Sequence, residues 1–226
     1  MKCGNGIKHG GINMSKDYVP ALNFNFLTPF YDLFVEILGY GGSQRKKVVD
    51  LLELKKGDNL LDVGCGTGTL LIIAKQKYPQ IEMTGIDIDA NVLNIAEKKT
   101  KKTGLEITYV ETSSAKLSFP DAAFSVIVSS LVFHHLPTDV KKQTLKEIYR
   151  VLKSNGKFLL VDFGKREGIV LSFIAFVTEF FRLPERKTLQ DNLQGNVPVY
   201  MKEAGFQVKE VAPRYRGVQF LEAKKI

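Results

Sequence analysis

"LLDVGCGTGTLL", residues 60–71, sets an aspartate and three alternating glycines between two apolar runs. A glycine-rich turn that follows a strand and opens a helix lets backbone come close to a ligand and points helix N-terminal N–H groups at it. Gly64, Gly66 and Gly68 give the spacing GxGxG, whereas the dinucleotide fingerprint GxGxxG needs a glycine where Thr69 stands, and no GxxxxGK[ST] phosphate cradle occurs. Asp62, just ahead of the first glycine, would repel a pyrophosphate and attract a cation. Asp87 closes the next apolar run in "GIDID", the position where a carboxylate accepts from both hydroxyls of a ribose. The ligand implied has an adenosine-like ribose, no pyrophosphate, and an amine or other positive group.

Working outward, β-rich apolar runs alternate with helical patterns. "NLLDV" precedes the helix-like "TLLIIAKQKY", and "IEMTGIDI" precedes "ANVLNIAEKKTKK", which Gly104 stops. "LEITYV" and "AFSVIVSSLVF" are the next strands. "TDVKKQTLKEIYRVLK" reads as a helix with a threonine cap that ends at "SNG", ahead of the strand "GKFLLVDF". This rhythm predicts an α/β fold, a parallel sheet with helices on both faces. "FQVKEVAPRYRGVQFLEAKK" holds two strand patterns around a short turn and predicts an antiparallel hairpin at one end of the sheet.

At 226 residues, 44% hydrophobic and 25% charged, one globular domain is expected, and a formal charge of +8 admits nucleic acid or an anionic membrane without requiring either. The basic cluster "EKKTKKTG" reads as a solvated helix end. Only Cys3 and Cys65 occur, too few for a disulfide framework or a cysteine-ligated metal, so no metal is expected and a cytoplasmic setting fits. Residues 1–14 lack periodicity and read as a disordered tail; Met14 is a second candidate start, because Gly10 and Gly11 fit a purine-rich ribosome-binding sequence just before its codon. The domain expected over 15–226 divides into an N-terminal helical cap (15–55), a cofactor-binding core (56–164), an apolar substrate-side insert (165–200) and a C-terminal hairpin (201–226).

"LLDVGCGTGTLL", "GIDID", "FPDAAFSVIVSSLVFHHLP", "RVLKSNGKFLLVDF" and "MKEAGF" together resemble, in order and spacing, the motifs of class I S-adenosylmethionine-dependent methyltransferases. The resemblance is to the small-molecule branch that includes the ubiquinone and menaquinone biosynthesis methyltransferases. It implies a Rossmann-like fold with a seven-stranded, mainly parallel sheet, S-adenosyl-L-methionine as cofactor and S-adenosyl-L-homocysteine as product. Asp62 and the backbone of Gly64, Cys65 and Gly66 would hold the methionine part of the cofactor. Gly68 would allow tight helix packing, Asp87 would bind the ribose and Ile88 would face the adenine. Ser113, Ser114 and Ser130 complete the implied cofactor residues. The chain departs from the family at Ser113, where an acidic residue commonly accepts from the adenine amino group, and at Ser125, where aspartate is usual.

Methyl transfer from a sulfonium needs alignment and exclusion of water more than acid–base help. If a base exists it should lie where the fourth and fifth strands end; His134 and His135 in "LVFHHLP" are the candidates, and Asp162 at the end of the fifth strand is another. The competing reading has one histidine capping the loop and the other solvated. Tyr18 and Tyr31 in the cap, with Phe173 and Phe176 in the insert, would wall a pocket for a small apolar or aromatic acceptor. The same segment 165–200 also suits a homodimer interface or peripheral membrane contact. Two other functions share these residues: an RNA or protein methyltransferase drawing on the +8 charge, although no RNA-binding module is evident, and a non-catalytic S-adenosylmethionine-binding protein.

Overall fold

The computed structural model describes residues 41–166 and 185–225. The expected tail, nearly all of the cap and the apolar stretch 167–184 lie outside the described residues, and with them Tyr18, Tyr31, Phe173 and Phe176. In chain order the elements are α1 (Gly42–Leu52), β1 (Asn59–Val63), α2 (Thr69–Lys77), β2 (Glu82–Asp87), α3 (Ala90–Thr103), β3 (Thr108–Glu111) and β4 (Phe124–Ser130). A 3-10 turn (Phe133–His135), α4 (Thr138–Val151), β5 (Leu152–Phe163), α5 (Glu185–Gln194), α6 (Val197–Glu203), β6 (Phe206–Tyr215) and β7 (Val218–Lys225) follow.

The strands form one sheet in the order β3-β2-β1-β4-β5-β7-β6. β1 pairs in parallel with β2 and β4, β4 with β5, and β2 with β3, whereas β7 runs antiparallel to both β5 and β6. This is the doubly wound α/β sheet with a terminal hairpin that the sequence implied. Strand order reverses between β1 and β4, and the crevice at such a switch point is where ligands of open α/β sheets bind.

Alternation along β1 decides what faces that crevice. Leu60 packs with α1 and α2 on one face, against Val48, Leu52 and Leu71, whereas Leu61 and Val63 join Leu145, Ile148 and Met201 on the other. Asp62 shares the pleat side of Leu60 and is carried into the interior by its apolar neighbours.

Two expectations about α4 fail. Thr138 is the first helical residue rather than the cap, Pro137 takes the cap position, and the Thr138 hydroxyl donates to Asp191 at 2.6 Å. The helix also does not run to "SNG": it ends at Val151, and β5 takes up Leu152–Asn155 with a register shift opposite Phe124 and Val126. Gly156 is a strand residue because a Cβ there would stand 2.7 Å from both the Leu152 Cδ1 and the Ser125 carbonyl. Ser125 itself stitches β4 to β1, donating its N–H to Asn59 Oδ1 at 2.9 Å and accepting the Asn59 N–H at 3.0 Å. The "EKKTKKTG" end of α3 exposes Lys98, Lys101 and Lys102, as read.

Candidate functional site

The link from β1 to α2 passes through positive φ at Gly64 (77°), Gly66 (51°) and Gly68 (73°). A Cβ on Gly64 would sit 2.4 Å from Val132 Cγ2, and one on Gly68 would sit 2.4 Å from the Tyr109 hydroxyl and 2.9 Å from Ala96 Cβ. These glycines let the loop press against the exit of β4 and against α3 and β3. Gly66 differs: a Cβ there would meet nothing within 4 Å, so its face is an open cradle.

Four of the loop's donors are spent inside the fold. The N–H groups of Gly64 and Cys65 both go to the Ile86 carbonyl at 2.9 Å, that of Gly66 to Asp87 Oδ2 at 3.0 Å, and that of Gly68 to the Cys65 carbonyl at 3.0 Å. These four N–H groups are therefore not free for a ligand as the glycines suggested, whereas Asp62 beside them has an unpartnered oxygen, which suits a cation. Cys65 is a buried free thiol packed against Gly85, and burial, then the charges of Asp62 and Asp87, push its ionisation far up. It is a packing residue.

Asp62 and Asp87 end adjacent strands. Asp87 accepts the Gly66 N–H on Oδ2 and the Asp89 N–H on Oδ1 at 3.1 Å, and each oxygen keeps a lone pair for a hydroxyl. Burial raises its pKa while those N–H groups pull it back. Asp62 is 2% exposed, and its Oδ1 is buried without any hydrogen-bond partner. Burial, then the Asp87 charge, push its carboxyl up to about 8. Ile88 follows Asp87, half-buried. The turn after β3 closes the crevice: Thr112 donates its N–H to the Asp87 carbonyl at 3.0 Å, Ser113 Oγ accepts from the Ala115 N–H at 3.3 Å, and the Ser114 hydroxyl pairs with that of Thr144 at 2.9 Å. Ser130, the last residue of β4, is half-buried.

A second constellation sits where β4 and β5 end. Asp162, 0% exposed, accepts five N–H groups. Those of Val132 (3.0 Å) and Phe133 (2.7 Å) reach Oδ2, and those of Phe163 (2.7 Å), His134 Nδ1 (2.8 Å) and Asn192 Nδ2 (3.3 Å) reach Oδ1. Burial alone would raise its pKa, but His134 and the backbone donors outweigh it and hold the carboxylate low. A carboxylate in that state can only accept, so Nδ1 of His134 donates in this bond, and Nε2 is the ring nitrogen directed away from Asp162. His135 stacks on His134 with ring centroids 3.9 Å apart. It is half-buried: burial, then His134, drive its pKa down to about 3, and its Nδ1 is buried without a partner.

Sequence reasoning missed the elements that back this loop. Asn192 of α5 is fully buried and also donates to the Phe163 carbonyl at 3.1 Å. Lys141 of α4 is fully buried as well, with Nζ on the Thr188 carbonyl and 3.3 Å from Asp191 Oδ2, while Asp191 further accepts from Tyr200 at 2.9 Å. The available signal was spacing: Lys141 stands on the stripe of Leu145 and Ile148, one and two turns before them.

A sheet wound in this order, with its last strand reversed and a glycine turn followed by a carboxylate at the ends of β1 and β2, is the framework of the class I S-adenosylmethionine-dependent methyltransferases, and the chain has their fold. Residues 60–156 match the family described as methyltransferase domain. Among curated relatives, the demethylmenaquinone methyltransferase of Thermus thermophilus is 34% identical over 142 residues, 62% of this chain and 64% of that protein. That of Lactobacillus johnsonii is 35% identical over 144 residues, 62% of this chain and 58% of that protein. The chain thus spans about three fifths of the length of these relatives. Among solved structures, a SAM-dependent methyltransferase from Aquifex aeolicus superposes with a TM-score of 0.61 at 24% identity, covering 79% of this chain and 88% of that one. Phosphoethanolamine N-methyltransferase 2 of Haemonchus contortus, in complex with S-adenosyl-L-methionine, gives a TM-score of 0.66 at 19% identity over 82% of this chain and 53% of that one. Among the described residues, no helix is long and apolar enough to cross a membrane.

Proposed function

We propose that this chain is an S-adenosylmethionine-dependent methyltransferase that acts in the cytoplasm on a small apolar or aromatic molecule, a quinol-type acceptor of the kind named in its menaquinone-pathway relatives. The observation that carries this reading is the pairing of an open cradle over Gly66 with a buried, unpartnered Asp62 oxygen beside Asp87. A ligand with a ribose and a cationic tail fits both ends. Asp87 takes the ribose hydroxyls, Asp62 takes the ammonium, and Ile88, Ser113, Ser114 and Ser130 border the base. When bound, the cofactor supplies a methyl group already activated on sulfur.

The remaining work falls to the chain. His134, fixed through Nδ1–H by Asp162, presents Nε2 to take the proton of an acceptor hydroxyl or ring carbon as the methyl group arrives. Half-buried His135 stays neutral and does not compete for that proton. Tyr18, Tyr31, Phe173 and Phe176, which lie outside the described residues, are the side chains assigned to an apolar or aromatic acceptor. Incubation with S-adenosylmethionine and a demethylated naphthoquinol, followed by mass spectrometry, tests this: formation of S-adenosylhomocysteine together with a methylated quinol is expected. Binding of the cofactor with no transfer to any quinol, phenol or amine offered would overturn it.

A further inference from the structure

The glycine turn is short of a donor. Oδ1 of Asp62 is buried with no hydrogen bond, and the neighbouring N–H groups of Gly64, Cys65 and Gly66 are directed to Ile86 and Asp87. A second carboxylate, the half-buried Asp87, stands on the adjacent strand, and its charge opposes ionisation of Asp62. Asp87 accepts two backbone N–H groups, which favour its charged form, whereas Asp62 has no such help on Oδ1. Of the two, Asp62 is the one that keeps a proton. Among the described residues, the other ionisable groups in its field are the Cys65 thiol in the turn and the Tyr109 hydroxyl on β3. Burial holds both neutral, the tyrosine pushed up to about 12. None of these neighbours brings a positive charge.

Resting on the reading of this crevice as an adenosyl site, we propose that filling it is a proton exchange: the α-ammonium group of the ligand displaces the proton of Asp62, and the site thereby selects adenosyl ligands that carry an amino-acid tail. The balance is simple. A neutral carboxylic acid and a ligand ammonium become a carboxylate–ammonium pair, and one proton leaves to solvent. A ligand that has the ribose but no amine engages Asp87 and leaves the proton where it was. The burial that raises Asp62 to about 8 places the exchange near neutral pH. Below that value binding must drive the proton off, so affinity climbs with pH, by about ninefold between pH ~6 and ~7.

Calorimetric titration in buffers of low and high ionisation enthalpy reads the proton count directly and needs no methyl acceptor. At pH ~7, S-adenosylhomocysteine should release close to one proton per site, and 5′-methylthioadenosine, which lacks the amino-acid tail, none. Asp62→Asn keeps the shape of the side chain, and it should bind S-adenosylhomocysteine more weakly, without proton release and with an affinity flat across this range. Tight binding of S-adenosylhomocysteine to the unaltered protein with no buffer-dependent heat would overturn the exchange while leaving the adenosyl site standing. Absence of binding by both ligands would overturn the site itself.

Discussion

Replacing Asp162 with asparagine probes the loop that carries His134. The carboxylate takes Val132 and Phe133 N–H on one oxygen and Phe163, His134 and Asn192 on the other. An amide of the same shape can serve only one set. If its oxygen stays with Val132 and Phe133, its NH2 group faces the Phe163 N–H, which is left buried without an acceptor. One such orphan costs about 1–3 kcal/mol, and replacing charge-assisted bonds by neutral ones adds about 1 kcal/mol, so a loss of roughly 2–4 kcal/mol is expected. His134 can adapt by accepting the amide N–H on Nδ1, but Nε2 then carries the proton and no longer serves as a base. Methyl transfer should fall by about 10²-fold or more, the usual weight of a general base. Urea unfolding gives the first quantity and S-adenosylhomocysteine formation the second, with calorimetry as a control, since no side chain assigned to the cofactor bonds to Asp162. An unfolding free energy within about 0.5 kcal/mol of the unaltered protein would refute the five-bond account. Normal turnover in a weakened protein would remove His134 from the chemistry.

Four further tests address the other end of the crevice. Gly68→Ala adds a Cβ 2.4 Å from the Tyr109 hydroxyl at a φ of 73°, so chemical denaturation should show a loss of about 2–4 kcal/mol. Gly66→Ala meets open space and should cost only about 1 kcal/mol of stability while weakening S-adenosylhomocysteine strongly, and a reversed ranking of the two variants would refute the cradle. Asp87→Ala should weaken the same ligand by about 1.5–3 kcal/mol, and unchanged affinity would remove Asp87 from the ribose site. The ligand-free protein should become less stable as pH rises from about 6.5 to 8. The Asp62 carboxyl has a pKa near 8 when folded against 3.8 ordinarily, so the folded state holds the extra proton and loses its advantage as that proton leaves. His135, at about 3 against 6.5, acts in the opposite direction but only below 6.5. Thermal melts across the window should register a loss of about 2 kcal/mol that Asp62→Asn abolishes, and a flat profile in the unaltered protein would contradict the buried acid.

The core strands and the crevice were legible because their signals are local. Apolar runs closed by glycine gave β1 and its turn, and an acid at the end of the next run gave Asp87. The boundary between α4 and β5 was not legible, since "SNG" has the composition of a turn; Gly156 serves instead to let Leu152 and the Ser125 carbonyl close in, a requirement visible only once β4 lies alongside. The turn's hydrogen bonding escaped for a similar reason. Nothing in "GCG" states that the Ile86 carbonyl and Asp87 will consume its donors. Lys141, Asp191 and Asn192 read as ordinary polar helix residues, yet they lie in the interior because each finds its partner on another element.

The way α5 is fastened makes the chain modular. The backbone N–H of Arg166 meets the Leu193 carbonyl at 2.8 Å, so the strand leaving β5 and the helix returning to the sheet are clasped together. Helical rise puts the start of α5 about 12 Å from that clasp. Arg166 and the start of α5 are thus two posts that stand a short, fixed distance apart in the core. Doubling the length of a bridge between such posts adds only about 0.6 kcal/mol of closure entropy. A foreign segment could be grafted between the posts with Asp162, His134 and the glycine turn left as they are.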